Sequence, residues 1–465
     1  MAEPHSSSPS RRIGALLALL LALAGQTSAC AAPPPKLSEA ASWLQAYLRI
    51  DTTNPPGNES KAADFLAGLL QREGIPVERL TSPSGRVSLV ARLAGSAPSQ
   101  GALILTHHMD VVPAGPGWTV DPFAAEVKEG ELWGRGAVDT KGLGIAHLAA
   151  LVDLKRRKVL PERDVVFLAV ADEEKGGAEG TGWLLQAHPE LFARTWAVFN
   201  EGGVGRVGGN GLLWWEVEVA QKRPLWLKLT TRGRGGHGSN YLPDSATHRL
   251  IQALARILEL PHTYRVSPPV ERYFAALAPL HANPRLHQAF SHIRESIGPQ
   301  GPKVPLLPGL DRLFLDTIQV TVIEASQSIN VIPQQASALL DIRLLPDTDA
   351  ERFLGEIRRV VGKDADLEVV VSSPPSPPSP TDHPAYQAVV ETFRRSAPVV
   401  PSVLAGFTDS RYFRERNIPA YGVSPFEVDP LAATGVHGPN ERISLKAFDA
   451  GVERMKRLVE QCAHR

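Results

Sequence analysis

The sequence predicts an α/β fold: a mostly parallel sheet covered on both faces, interrupted by an inserted α+β two-layer domain. Three observations predict it. Short apolar runs alternate with amphipathic stretches as far as residue 223, the texture changes at Pro224, and the alternation returns after the proline-rich run Ser372–Pro380. Strands alternating with helices give a sheet whose two faces are both buried. The middle segment instead runs β-α-β-β-α-β, the order of a small self-contained sandwich. At 465 residues the chain has room for two or three domains, and no internal repeat divides it.

The elements can be justified in order. Arg11 and Arg12 precede the apolar run Ile13–Ala24 and the small residues up to Cys30, so residues 1–30 read as an export signal. The run is too short to span a bilayer as a mature helix. Thr27-Ser28-Ala29-Cys30 resembles a bacterial lipoprotein box, in which the cysteine is lipidated; plain cleavage near Ala29 or Ala32 is the alternative, and Arg11-Arg12 points toward twin-arginine export. The expected location is periplasmic or membrane-anchored, with secretion as the alternative. Residues 31–36, Ala-Ala-Pro-Pro-Pro-Lys, read as an extended tether.

Residues 37–223 form the first part of the main domain, with strands at Val87–Leu93, Ala102–Leu105, Val165–Val170 and Trp196–Phe199 and helices at Ser38–Arg49, Lys61–Glu73 and Gly142–Arg157. Residues 224–374 form the inserted domain: strand Leu225–Thr231, helix Asp244–Leu258, a His/Pro-bearing stretch Pro261–Leu310, strands Thr317–Glu324 and Ala336–Leu345, helix Ala350–Val361 and strand Leu367–Val371. Ser372–Pro380 reads by composition as a linker. Residues 375–465 complete the main domain, with a buried strand at Ile418–Val423 and a closing helix at Ser444–Cys462. Leu445, Phe448, Val452, Met455 and Val459 recur there at helical spacing, a stripe that packing alone explains.

Composition excludes more than it assigns. Lys+Arg 49 balances Asp+Glu 49, so no global field draws the chain to nucleic acid. Two cysteines exclude a disulfide scaffold and a cysteine-built zinc site. Cys462 reads as a small buried apolar residue. Histidine, at 14, is the metal-capable residue in supply.

Those histidines meet acids at predicted strand ends. In Leu105-Thr-His-His-Met-Asp110, His108 and Asp110 share a face, and a carboxylate there can fix the tautomer of a ligating imidazole. His107 faces the other way and reads as structural. Asp139 lies in Gly134-Arg-Gly-Ala-Val-Asp-Thr-Lys-Gly142, before a helix, where a capping carboxylate is the ordinary reading. Val170-Ala-Asp-Glu-Glu-Lys-Gly-Gly177 sets three acids after an apolar strand, which repel unless a cation or a proton relieves them. Glu201 follows another strand, and His437 sits in a loop before the closing helix. Together they supply what two borderline metals sharing one carboxylate require.

On these motifs the chain resembles the di-zinc exopeptidase family of aminoacylase, glutamate carboxypeptidase, acetylornithine deacetylase and succinyl-diaminopimelate desuccinylase, over residues 37 to 465. The resemblance implies a zinc-exopeptidase catalytic domain with an inserted lid, and two Zn2+ per subunit, Co2+ or Mn2+ substituting. It implies His108 and Glu201 on one metal, Glu174 and His437 on the other, Asp139 bridging through a cis Asp139-Thr140 bond, Glu173 as general base and Asp110 orienting His108. On the lid, His237 in Gly235-Gly-His-Gly-Ser239 would hold the developing oxyanion, and Asn330 and Arg343 would grip a substrate carboxylate, an arginine fork suiting two oxygens. Gly406-Phe-Thr-Asp-Ser-Arg411 matches a further substrate-facing loop through Gly406. Asn200 departs from the family pattern, where many relatives have Asp. The stretch 261–310 is longer than compact lids and resembles the larger carboxypeptidase and aminoacylase members.

The expected activity is hydrolysis of an amide or peptide bond next to a free carboxylate, on a small molecule or peptide. A homodimer through the lid and a lipid anchor are the expected partners, with no nucleic acid. A non-catalytic solute-binding lipoprotein and a di-metal phosphoesterase are the alternatives; the first has no use for Glu173 beside Glu174, the second wants phosphate-directed cations at the metals.

Overall fold

The computed structural model describes residues 36–209, 211–306, 309–429 and 435–464. The expected export signal, Cys30 and all of the tether except Lys36 lie outside them. Ala102–His108 is central in a ten-stranded sheet, parallel to Asp164–Val170 on one side and to Thr195–Asn200 on the other. Ala420–Gly422 continues the parallel set. Val87–Leu93 and then Val77–Thr81 add antiparallel strands at one edge, and Gly211–Gln221 carries Val399–Leu404 parallel beside it.

Alternation along the central strand sends successive side chains to opposite faces. Leu103 and Leu105 join the core under helices Glu39–Leu48, Glu59–Arg72, Lys141–Arg156 and Leu445–Ala463, while Ile104 joins Leu184, Phe192 and Phe413 on the other face. Both faces are therefore covered, which suits the near-continuous apolar strands of a parallel sheet. His107 falls on the first face, buried with its Nε2 3.3 Å from the Tyr47 hydroxyl. Cys462 is buried in the same core.

The inserted domain is a second, four-stranded antiparallel sheet in the order Thr317–Glu324, Gln335–Leu344, Arg223–Arg232, Asp366–Ser372. Helices Ala246–Leu258 and Ala350–Val361 cover one face and share with it a core that includes Leu227, Leu229, Leu250, Leu340 and Ile357. Ser245 and Asp349 cap these helices by accepting from His248 N and Arg352 N, satisfying amides that a helix start leaves open.

Two segments behave differently from their sequence reading. The stretch 261–310, assigned by continuity to the inserted domain, forms helices Pro268–Leu277 and Pro284–Ser291. Their Val270, Phe274, Leu277 and Phe290 pack with Ala220, Val400 and Val403 of the large sheet, because the apolar flank of Val399–Leu404 offers the burial they need. Ser372–Pro380 is not a loose linker. Ser379 donates its amide to Val219 O at 2.8 Å and its hydroxyl to Ala420 O at 2.6 Å, and Ser373 and Ser379 are buried. Composition shows that this run is extended; it does not show what the run lies against.

Candidate active site and metal centre

The site is assembled at the carboxyl ends of the central strands, where an open α/β sheet presents its loops. His108 closes its strand, and its Nδ1 lies 2.8 Å from Asp110 O. A carbonyl only accepts, so the proton sits on Nδ1, and Nε2 is the nitrogen presented to Asp139 Oδ1 at 3.0 Å and Glu201 Oε1 at 3.5 Å. Asp110 meets the His108 ring through its backbone carbonyl, not through the carboxylate that the sequence suggests. The Asp110 carboxylate stands 3.7 Å from Nδ1; its oxygens instead accept from the amides of Glu173 and Glu174, each at 3.1 Å, and from Asn54 Nδ2 at 2.8 Å. Asp110 thus ties the histidine loop to the acidic loop.

Asp139 sits between two clusters. Its Oδ1 meets His108, and its Oδ2 lies 3.1 Å from His437 Nε2, which is 3.3 Å from Glu174 Oε2. The donor atoms of His108, Asp139 and Glu201 all lie within 4.8 Å of one another, and so do those of Asp139, Glu174 and His437. The Asp139–Thr140 bond is cis. Asp139 caps no helix: Thr140 is the capping residue of Lys141–Arg156.

The electrostatics of the cage suit a cation. Burial and then the Asp139 charge push the Glu174 and Glu201 carboxyls up, and burial with the Glu201 charge pushes Glu173 well up. Hydrogen bonds that His437 donates to Asp139 and Glu174 raise it to about 11. Carboxyls crowded in this way favour a bound cation, and imidazole and carboxylate donors in this number fit divalent borderline metals. Asp172, the first of the three acids, is set apart: Arg86 Nη1 holds it at 3.0 Å and the Glu179 amide donates to it.

Glu441 and Arg135 were not singled out by the sequence reading. Glu441 is fully buried; Oε1 accepts from the amides of Val138 and Asp139 at 2.8 and 3.0 Å, and Oε2 from the Gly136 amide and Arg135 Nη1, both at 2.8 Å. Arg135 Nη2 also donates to Gly438 O at 2.8 Å. The pair therefore clamps the loop of Asp139 to the loop of His437. The motif around His437 contains Glu441, but its partners lie some 300 residues earlier and leave no local signature. Asp409 was also passed over: it is buried, accepts from Thr181 Oγ1 at 2.6 Å, and burial lifts it to about 6. Asn200 donates to Ser410 Oγ at 3.2 Å, and so serves the same loop.

The inserted-domain residues lie apart from the cage. His237, in the two-residue strand Gly236–His237 paired with Val331–Ile332, is exposed, and its Nδ1 is 2.8 Å from Ser239 Oγ. Asn330 is exposed beside it and accepts from the Gly238 amide at 2.8 Å. Among the described residues, none of the hydrogen bonds or ion pairs of His237 or Asn330 reaches the metal donors. Arg343 is not the open fork that the sequence suggests: Nε and Nη2 grip Asp341 at 2.6 and 2.8 Å. Its guanidinium lies 4.5 Å from the Phe407 ring, so the loop after Gly406 meets the inserted domain through Phe407 rather than through the glycine.

Comparison with known proteins places this geometry. Residues 104–461 match the model of Peptidase family M20/M25/M40. Human Aminoacylase-1 is 27% identical over 426 residues, covering 90% of this chain and 93% of the relative. The bovine N-fatty-acyl-amino acid synthase/hydrolase PM20D1 is 30% identical over 394 residues, 79% of this chain and 76% of the relative. Among solved structures, an M20 family metallo-carboxypeptidase from Sulfolobus solfataricus has a TM-score of 0.73 at 17% identity, covering 92% of this chain and 100% of the neighbour. Human carnosine dipeptidase 1 has a TM-score of 0.70 at 16% identity, covering 91% and 97%. The family match spans more than half of the chain and includes every residue of the candidate cage, so the chain belongs to Peptidase family M20/M25/M40.

Proposed function

We propose that the chain is an N-acyl-amino-acid deacylase, hydrolysing an amide bond next to a free carboxylate with two zinc ions bound in the cage. The observation that carries the reading is the pair of donor clusters sharing Asp139 beside the buried Glu173. His108 and Glu201 would hold one ion, Glu174 and His437 the other, and Asp139 both. Bound divalent ions supply Lewis acidity for the acyl carbonyl and for the attacking water.

The chain's own groups do the rest. Glu173 takes a proton from the water as it attacks and returns it to the leaving amine nitrogen. Its amide, held by Asp110, and the loop closed at Gly176 keep that carboxylate aimed. His237, with Nδ1 turned to Ser239, offers Nε2 to the developing oxyanion once the lid approaches. Arg343 and Asn330 are the groups proposed for the substrate carboxylate; with Nε and Nη2 on Asp341, Arg343 keeps Nη1 for it. The lid edge strand Thr317–Glu324, with Ile323 63% exposed, supports a homodimer face. Export with lipidation at Cys30 belongs to the same proposal, and Cys30→Ser should release the protein from membranes.

The relatives named for N-acyl amino acids support this substrate class, and membership of a peptidase family speaks against a solute-binding lipoprotein or a phosphoesterase. A panel of N-acyl amino acids, their methyl esters, dipeptides and phosphate esters, run with zinc, cobalt and manganese, tests it. Turnover of N-acyl amino acids with loss on esterification is expected. Preference for dipeptides would shift the reading to a peptidase; preference for phosphate esters, or binding without turnover, would overturn it.

A further inference from the structure

Apart from the excursion of helices Pro268–Leu277 and Pro284–Ser291 onto the large sheet, the chain passes from one sheet's strands to the other's at two points. One crossing is Lys222–Arg223, between Gly211–Gln221 and Arg223–Arg232; the other is Ser373, directly after Asp366–Ser372. Ser373 is 2% exposed and uses all three of its polar groups. Its amide donates to Pro224 O at 3.2 Å, its carbonyl accepts from Arg223 Nη1 at 3.1 Å, and its hydroxyl accepts from Arg411 Nη1. The first two bonds tie the crossings together. The third leaves the hinge for the active site.

Arg411 is 4% exposed, and its other end, Nη2, donates to Gly176 O at 2.6 Å. The Tyr412 hydroxyl donates to the same oxygen at 2.7 Å, with the Arg411 guanidinium stacked 4.0 Å from the Tyr412 ring. Gly176 closes the turn that carries Glu173 and Glu174: its amide donates to Glu173 O at 2.8 Å. Three side chains thus fix this short turn from two ends, Asp110 at the amides of Glu173 and Glu174, and Arg411 with Tyr412 at the carbonyl of Gly176.

A buried guanidinium is normally neutralised by a carboxylate at hydrogen-bond distance. The ion-pair partner of Arg411, Glu415, stands 3.9 Å away. The near contacts of Arg411 are neutral oxygens on the hinge and on the base loop, joined by a rigid planar fork. The Arg411 charge also lowers the buried Asp409 and the Glu415 carboxyls, but its hydrogen bonds go to oxygens of the hinge, the base loop and Tyr412, a choice of partners that geometry explains.

We propose that Arg411 is a positioning residue that couples the lid hinge at Ser373 to the loop carrying Glu173 and Glu174, so that the orientation of the inserted domain sets where the general base points. The proposal rests on the deacylase reading for its kinetic consequence, but the mechanical link does not.

The test is a double-mutant cycle of Ser373→Ala and Arg411→Gln in the full chain, read two ways. Without substrate, hydrogen exchange of the Gly176 and Gly177 amides should quicken about ten-fold in either single variant, as one hydrogen bond to a charged group is lost. The double variant should be no faster than Arg411→Gln alone. With zinc and an N-acyl amino acid, kcat should fall roughly ten-fold with KM nearly unchanged, again without additivity. Ser373→Thr, which keeps the hydroxyl, should restore both readouts, and it covers the case in which Arg411→Gln fails to fold. Unchanged exchange in Ser373→Ala, or additive effects in the cycle, would overturn the coupling. A wild-type chain that turns over no N-acyl amino acid would sink the deacylase reading and leave the exchange result to decide the coupling alone.

Discussion

Glu441→Gln replaces one oxygen of a fully buried carboxylate by an amide nitrogen and changes little else in shape. Each carboxylate oxygen faces two donors: Val138 and Asp139 amides at one, the Gly136 amide and Arg135 Nη1 at the other. Whichever end the new NH2 takes, a donor is set against two donors. In either orientation Arg135, which is 1% exposed, loses its counter-charge, and if the NH2 faces it the hydrogen bond goes as well. Breaking a buried pair from one side costs about 3–5 kcal/mol, and two amide bonds at about 1 kcal/mol each give the same order by the other route. The substitution also loosens the loop that carries Asp139, and losing support behind a ligand typically weakens metal binding roughly 10–100-fold. The assays are urea unfolding of the metal-free chain and chelator competition for zinc. A loss below about 1 kcal/mol with unchanged zinc affinity would refute the claim that this clamp organises the site.

Other consequences can be checked with less work. Glu173→Gln should retain zinc and lose roughly 100- to 10,000-fold in kcat; a variant with near-normal turnover would remove Glu173 as the base. Binding of zinc at pH 7 should release protons, because His437, raised to about 11, must give up its proton to act as a ligand, and the upward-shifted Glu174 and Glu201 must ligate as carboxylates. The sign follows: apparent affinity rises with pH, and calorimetry in buffers of different ionisation enthalpy should show the release, whereas buffer-independent heats would contradict it. Phe274→Ala, emptying a ring in the core that joins 268–314 to the large sheet, should cost about 3–5 kcal/mol by denaturation. A cost under about 1 kcal/mol would mean that these helices do not brace the sheet.

What is legible in the residues themselves is a gathering of histidine and acids after apolar strands; the role expected of each comes from the family resemblance. His108 ends an apolar strand, and Glu173, Glu174 and Glu201 come after one, where three of the acids crowd together. What was hidden depends on partners distant in the chain. Glu441 and Arg135 are separated by 306 positions, and neither looks unusual alone. In the sequence 261–310 reads only as a His/Pro-bearing stretch, and neither its helices nor their choice of the large sheet over the small one is legible. The engagement of Arg343 by Asp341 was within reach, since residues two apart on a strand share a face. The route taken by Asp110 was not: its spacing from His108 suits a side-chain bond, and the 173–174 amides with Asn54 draw the carboxylate away.

The central claim is that one carboxylate, Asp139, serves two cation sites that together enable amide hydrolysis. Metal content per chain, measured by mass spectrometry during stepwise zinc addition to the metal-free protein with deacylase activity followed in parallel, tests it most directly. The account predicts two zinc ions bound per chain in the wild type, full activity only at the second, and loss of both ions in Asp139→Ala. A single ion per chain at full activity, or an Asp139→Ala variant that keeps both, would contradict it.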